Sequence, residues 1–385
     1  MKPKSFLDRV VNGRLWWALV TLVYLTLIYT TSLHYVTGPG RTINLTYFTD
    51  EPRDPLQAER FPDMGAAAGT GIDLTDENGW VLSSVHGDAA VYLIQAETFR
   101  PAYPPYCFRM FGPYLAGLLH LATGLSLPLT FALINGLAVL GAALLFTAYL
   151  ERFHGFSRLV AFLGGVLFVT STGVVRTLAF PLVDCLSYLW IIIAFWTVRA
   201  RRPVLFGLAA VAGVWTKPVL AICGLLWLVF HWPKKNPPPG TAVRSWLTAV
   251  LPALVPVLAF FAFRLIYGGR VDLVQGGFRL FEGEMPGGFA RLLYWGGIAR
   301  TVWQFFFAFG FLWLGLFNLG RDRFLRIALF TVAIPVAVSV ILFSARLIRP
   351  LGVIYPVIIP LFLHFFSRFG RVDAAESPGA AQEAR

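Results

Sequence analysis

The chain has 385 residues, of which 57% are hydrophobic and only 14% charged, with a formal net charge of +12. A soluble domain covers its surface with about 25% charged residues, so this composition excludes an ordinary soluble protein and points to an all-α integral membrane protein. Nucleic-acid binding, which a net charge of +12 would otherwise invite, is excluded by placement: the Lys and Arg residues stand at the ends of apolar runs, the usual orientation signal of membrane proteins.

Residues 1–14 carry Lys2, Lys4, Arg9 and Arg14 against Asp8 and are expected on the cytoplasmic side. The apolar run 15–36 follows; it is too long for a signal-peptide core and is expected to be a retained first transmembrane helix. Residues 37–126 form a large extracytoplasmic loop in this reading. Its acids, among them Asp50, Asp54, Asp63, Asp73, Asp76, Asp88 and Glu97, outnumber its bases. Asn44-Leu45-Thr46 fits a glycosylation sequon, a triplet common by chance.

Further apolar runs occupy 127–150, 159–175, 179–198, 203–215, 218–232, 246–267, 301–319, 324–343 and 347–366. About 20 apolar residues span a bilayer core, so the expectation is about 10 transmembrane helices with both termini cytoplasmic. Two decisions fix that topology. Residues 108–124 are expected to hug the membrane, and 203–232 to break into two helices at Lys217, because Pro218 disfavours helical geometry in the residue before it. The clusters Arg152/Arg158, Arg199/Arg201/Arg202, Lys234/Lys235, Arg321/Arg323/Arg326 and Arg368/Arg371 then share one side. The sequence divides into a helical core over 127–232, a cytoplasmic linker over 233–245 and C-terminal helices over 246–369 with an outer loop at 268–300. A tail over 370–385, rich in Ala, Glu, Ser and Pro, is expected to be disordered.

The same topology puts Asp88, Arg109, Arg176, Asp184, Lys217, Arg346 and Arg349 at the outer face. If 87–99 is helical, Asp88, Tyr92, Gln95 and Phe99 share one side by their spacing and Glu97 points elsewhere. A carboxylate beside a tyrosine and an amide suits a general base that binds an acceptor. The plainer reading is an Asp placed against the helix dipole. Arg109, Arg176, Lys217, Arg346 and Arg349 are candidates to hold a phosphate, since guanidinium forks match its oxygens; the plainer reading is basic side chains reaching headgroups. For Arg176 and Asp184 an ion pair bracketing a turn is expected. His86 and Asp88 could share a metal, but two ligands do not make a site. Cys107, Cys185 and Cys223 have no metal-ligand spacing.

Four features in order carry a family resemblance: Gly87-Asp88 in the first outer loop, the Pro- and Arg-containing segment from Pro105 to Pro113, Arg176 with Asp184 between two helices, and the run from Gly207 to Thr216-Lys217-Pro218. Over about the first 230 residues the chain resembles the GT-C superfamily, multi-pass glycosyltransferases that use polyprenyl-phosphate-linked sugars. The resemblance implies a GT-C-like fold with juxtamembrane helices in the first loop. It also implies transfer of a sugar from a polyprenyl-phosphate donor to a glycan, lipid or protein acceptor at the extracytoplasmic face, here of a bacterial plasma membrane. Catalysis by Asp88 and phosphate binding by Lys217 and Arg109 are likewise implied. The chain has no second acidic residue directly beside Asp88, which leaves use of a divalent metal open. The rival reading is a translocator or assembly partner for lipid-linked glycans. A membrane acyltransferase is weaker, since no His-based catalytic pair stands out.

Overall fold

A computed structural model describes residues 14–36, 87–100, 108–178, 181–233, 242–278, 295–318, 322–343 and 350–375, and among them every regular element is helical. α1 (Arg14–Val36) buries Trp16, Val20, Tyr24 and Ile28, one residue per turn, and leaves Leu15, Leu19, Leu22 and Leu25 exposed. An exposed face of large apolar side chains has no favourable contact with water and suits lipid. The buried stripe meets α4 (Leu127–His154) and α5 (Arg158–Val169): the hydroxyls of Tyr24 and Thr147 lie 2.6 Å apart, and Tyr24 donates to Phe162 O at 3.2 Å. α4 starts after Ser126 with a proline in its first turn and ends at Gly155, whose φ of 67° is the left-handed conformation that terminates helices.

α5 begins at a Ser157 cap and bends by 54° into α6 (Thr172–Leu178). α7 (Asp184–Arg199) is buried along most of its length and packs against α4 and α8 (Pro203–Thr216). At 1.5 Å per residue it holds Asp184 and Arg199 about 22 Å apart, at opposite ends of the helical core.

The expected break at Lys217 is present. Lys217 is extended (φ −154°, ψ 113°), as a residue before proline prefers, and a 3₁₀ turn (Pro218–Ile222) leads into α9 (Cys223–Phe230). The two legs run antiparallel. The rings of Phe206 and Trp227 lie 4.7 Å apart, a Cβ on Gly213 would touch Leu220, and His231 Nε2 lies 3.0 Å from Val198 O. The segment is therefore a hairpin with Lys217 at its tip and Arg199, Arg201 and Arg202 at its base. Both legs lie on α10 (Ala242–Phe278), where a Cβ on Gly224 would run into Ala253 O. On the other side follow α2 (Gly87–Thr98) and α3 (Phe111–Thr123), packed together. The 13 residues of α3 extend only about 20 Å, short of a bilayer core of about 30 Å.

Among the described residues, two helices are long and apolar enough to cross a membrane by length and composition, α4 and the 243–266 portion of α10, or three if α5 and α6 form one bent span. This fits an all-α membrane protein, but not the expected ten crossings. Part of the difference is that Leu15–Thr30, Pro203–Thr216 and Pro218–Phe230 are apolar helices shorter than a full span, and part is that other runs are jointed. The run 301–319 divides into α11 (Trp295–Phe309) and a 3₁₀ stretch (Gly310–Asn318). The run 324–343 divides into α12 (Arg323–Ala328), a π turn (Leu329–Ala333) and α13 (Ile334–Phe343). A 3₁₀ turn (Pro350–Ile354) precedes α14 (Tyr355–Ala375). Apolar composition cannot distinguish these jointed segments from straight helices. Residues 37–86, 101–107, 234–241, 279–294 and 376–385 lie outside the described residues, and in the expected outer loop 268–300 α10 continues to Phe278 and α11 begins at Trp295.

At one end of the core, Arg199 from one of the basic clusters meets side chains of three other segments. His154 at the end of α4, Arg199 at the end of α7, Asp322 at the start of α12 and His364 on α14 are in mutual contact. Asp184 and Lys217 occupy the opposite end.

Candidate functional site at the hairpin tip

Lys217 is placed by its backbone before its side chain does anything. Its N–H bonds to Gly213 O at 2.7 Å and the Thr216 hydroxyl to Ala212 O at 2.8 Å, closing α8. The extended φ and ψ then direct the chain into the return leg. Lys217 Nζ donates to Asp184 Oδ1 at 2.5 Å, with Asp184 fully buried and Lys217 7% exposed. Asp184 is also the first residue of α7, where the helix dipole favours a carboxylate. The ion pair expected between Arg176 and Asp184 is thus replaced by one with Lys217. Arg176 is exposed at the end of α6, while the hairpin carries Lys217 back over the start of α7.

On α2, Tyr92 and Gln95 are fully buried, but Ala89, Val91, Leu93 and Ala96 are buried too, so burial does not single out the predicted face; Glu97 is exposed. Arg109 Nη1 donates to the Tyr92 hydroxyl at 3.0 Å, and Gln95 Nε2 lies 3.0 Å from Met110 Sδ. The segment before α3 is thereby fastened to α2. Asp88 is the second residue of α2, four before Tyr92; its side chain lies outside the described residues, as do His86, Arg346 and Arg349.

Aromatic side chains surround the tip. Phe111 makes edge contacts with both Trp190 and Trp215 at 5.6 Å, Tyr114 meets Trp215 at 5.8 Å, and Trp215 stacks on Phe263 at 5.6 Å. One residue on from Phe263, the Arg264 guanidinium lies 5.2 Å from the Phe108 ring and 4.7 Å from that of Phe260. Among the described residues, Trp190 Nε1, Trp215 Nε1 and Arg264 Nε are buried without a hydrogen-bond acceptor. Buried donors without acceptors are costly and uncommon in folded proteins. A ligand rich in acceptor oxygens, such as a phosphate or a sugar, is one way to satisfy them.

Sequence reasoning missed Arg264, absorbed into the run 246–267. The signal was available: an arginine inside an apolar segment is expensive unless it faces a partner or a cavity. The structure brings Tyr92 with Arg109 and Asp184 with Lys217, and joins these regions through Phe108, Phe111 and Trp215. It does not bring Arg176 to Asp184. No protein-family model, curated protein or solved structure matches this chain.

Proposed function

We propose that the protein is a membrane glycosyltransferase of the GT-C kind that moves a sugar from a polyprenyl-phosphate donor to an acceptor hydroxyl at the outer face of the membrane. The observation that carries this reading is the grouping at one end of the bundle: the Tyr92–Arg109 contact, the Asp184–Lys217 pair, and Arg264 among aromatic rings and unsatisfied indole donors. α2, which begins with Gly87-Asp88, supplies Tyr92 to the same group.

In this mechanism Asp88 takes the proton of the acceptor hydroxyl as its oxygen bonds to the anomeric carbon. The bond from that carbon to the donor phosphate oxygen breaks, and the lipid phosphate leaves with the electron pair. Negative charge grows on the phosphate, so preorganised donors there lower the barrier. Arg109 supplies such a donor, held in place by Tyr92. Lys217 is already neutralised by Asp184 and contributes mainly by fixing the hairpin tip. Arg176, Arg346 and Arg349 are the remaining candidates for the phosphate. Inversion at the anomeric carbon, the bacterial plasma membrane and cytoplasmic termini follow from the resemblance and the charge pattern.

The test is transfer from a radiolabelled polyprenyl-phosphate sugar in membranes containing the full chain. Chain-dependent release of lipid phosphate with glycosylation of an added acceptor is expected. The absence of chain-dependent transfer with a panel of donor sugars and glycan, lipid and protein acceptors would favour the translocator reading.

A further inference from the structure

At the end of the core opposite the hairpin tip, two histidines and an aspartate from three separate segments converge. His154 Nδ1 lies 3.1 Å from Asp322 Oδ2 and 3.4 Å from His364 Nε2, and all three atoms lie within 4.8 Å of one another. The His154 side chain is wholly buried and that of Asp322 is 16% exposed, which leaves the group reachable from one side. We propose that His154, Asp322 and His364 form a binding site for a borderline divalent cation, Zn²⁺ in the first instance.

The donor set is two imidazole nitrogens and one carboxylate oxygen, which Zn²⁺ binds at about 2.0–2.2 Å. Bonds of that length at a tetrahedral centre put ligand atoms about 3.4 Å apart, close to the two spacings present. The carboxylate is already oriented. Asp322 Oδ1 accepts from Phe324 N–H at 2.7 Å and Leu325 N–H at 3.4 Å, while Arg199 donates to Oδ2 at 2.9 Å. Outer hydrogen bonds of this kind commonly fix metal-binding carboxylates. Three protein ligands leave one position for water or another donor.

Arg199 limits the affinity. Its Nη1 lies 3.3 Å from His154 Nε2, so in the metal-free protein that nitrogen accepts and the ring proton sits on Nδ1, facing Asp322. Metal at Nδ1 moves the ring proton to Nε2. Arg199 then keeps Asp322 and its 2.9 Å bond to Phe153 O but gives up the imidazole. The cation and the Nδ1 proton therefore compete for one place.

The test uses the full chain in detergent, purified without a histidine tag, stripped with chelator, equilibrated with Zn²⁺ and desalted before elemental analysis. About one Zn²⁺ per chain is expected, with at least tenfold weaker binding in His364→Ala and Asp322→Asn. Asp322→Asn disturbs a helix cap, so His364→Ala and the absorption of bound Co²⁺ serve as independent readouts; four-coordinate Co²⁺ with nitrogen ligands is expected. Failure of the wild type to retain metal, or equal retention by wild type and His364→Ala, overturns the assignment. Neither result bears on sugar transfer.

Discussion

Lys217 and Asp184 are joined by a 2.5 Å ion pair that closes 33 positions of chain and fixes the hairpin tip to the first turn of α7. Both groups are buried, so the pair is valuable mainly because neither charge can be left alone. Removing one partner of a buried pair costs about 3–5 kcal/mol, whereas replacing both by well-packed neutral side chains is often tolerated. Lys217→Met and Asp184→Asn should each lower the unfolding temperature sharply in detergent. The double variant should be more stable than either single variant. A double variant whose loss equals the sum of the two would contradict mutual dependence.

Tyr92 holds Arg109 through one hydrogen bond, worth about 1 kcal/mol net in a folded protein. Tyr92→Phe should therefore reduce transfer only severalfold and leave the donor KM nearly unchanged. Arg109→Gln removes the charge itself and should lower kcat about 10²- to 10³-fold, as loss of a transition-state donor does. Equal effects of the two substitutions in a transfer assay would count against Arg109 as the phosphate partner.

Arg264 separates activity from stability. Its Nε is buried without an acceptor, so Arg264→Met removes an unsatisfied donor along with two ring contacts. The expected change in stability is small, within about 1 kcal/mol. Transfer, by contrast, should fall at least tenfold if the guanidinium faces the substrate. Thermal unfolding and kinetics on the same preparation check this. A large loss of stability with normal kcat per folded molecule would make Arg264 structural.

Gly224 lets the return leg of the hairpin approach α10 closely, since a Cβ there would collide with the backbone oxygen of Ala253. Backbone cannot yield as a flexible side chain does. Gly224→Ala should destabilise by about 1–3 kcal/mol through overpacking, read as a lower unfolding temperature.

Much of this architecture was legible from local chemistry. Pro218 announced the break at Lys217, and the placement of the basic clusters favoured a membrane-hugging 108–124, where α3 has only 13 residues. The clusters around Arg152, Arg199 and Arg323 pointed to one end of the bundle, where His154, Arg199 and Asp322 now meet. What was hidden depends on contacts distant in sequence. Nothing in the seven residues between Arg176 and Asp184 reveals that the hairpin returns Lys217 to Asp184. Arg264 was masked by its apolar neighbours. Fewer helices have the length of a full crossing than the apolar runs suggest, in part because 3₁₀ and π joints interrupt them without altering composition and in part because others, such as Leu15–Thr30 and Pro203–Thr216, are shorter than a span.

The central claim is that Asp88 is the general base of a sugar transfer. The direct measurement is the initial rate of transfer from a radiolabelled polyprenyl-phosphate sugar by wild type and Asp88→Asn, at matched amounts of folded protein. A positioned general base contributes about 10²- to 10⁴-fold. The account predicts a loss in that range for Asp88→Asn with an unchanged unfolding temperature. Wild-type transfer by a normally folded Asp88→Asn would contradict it.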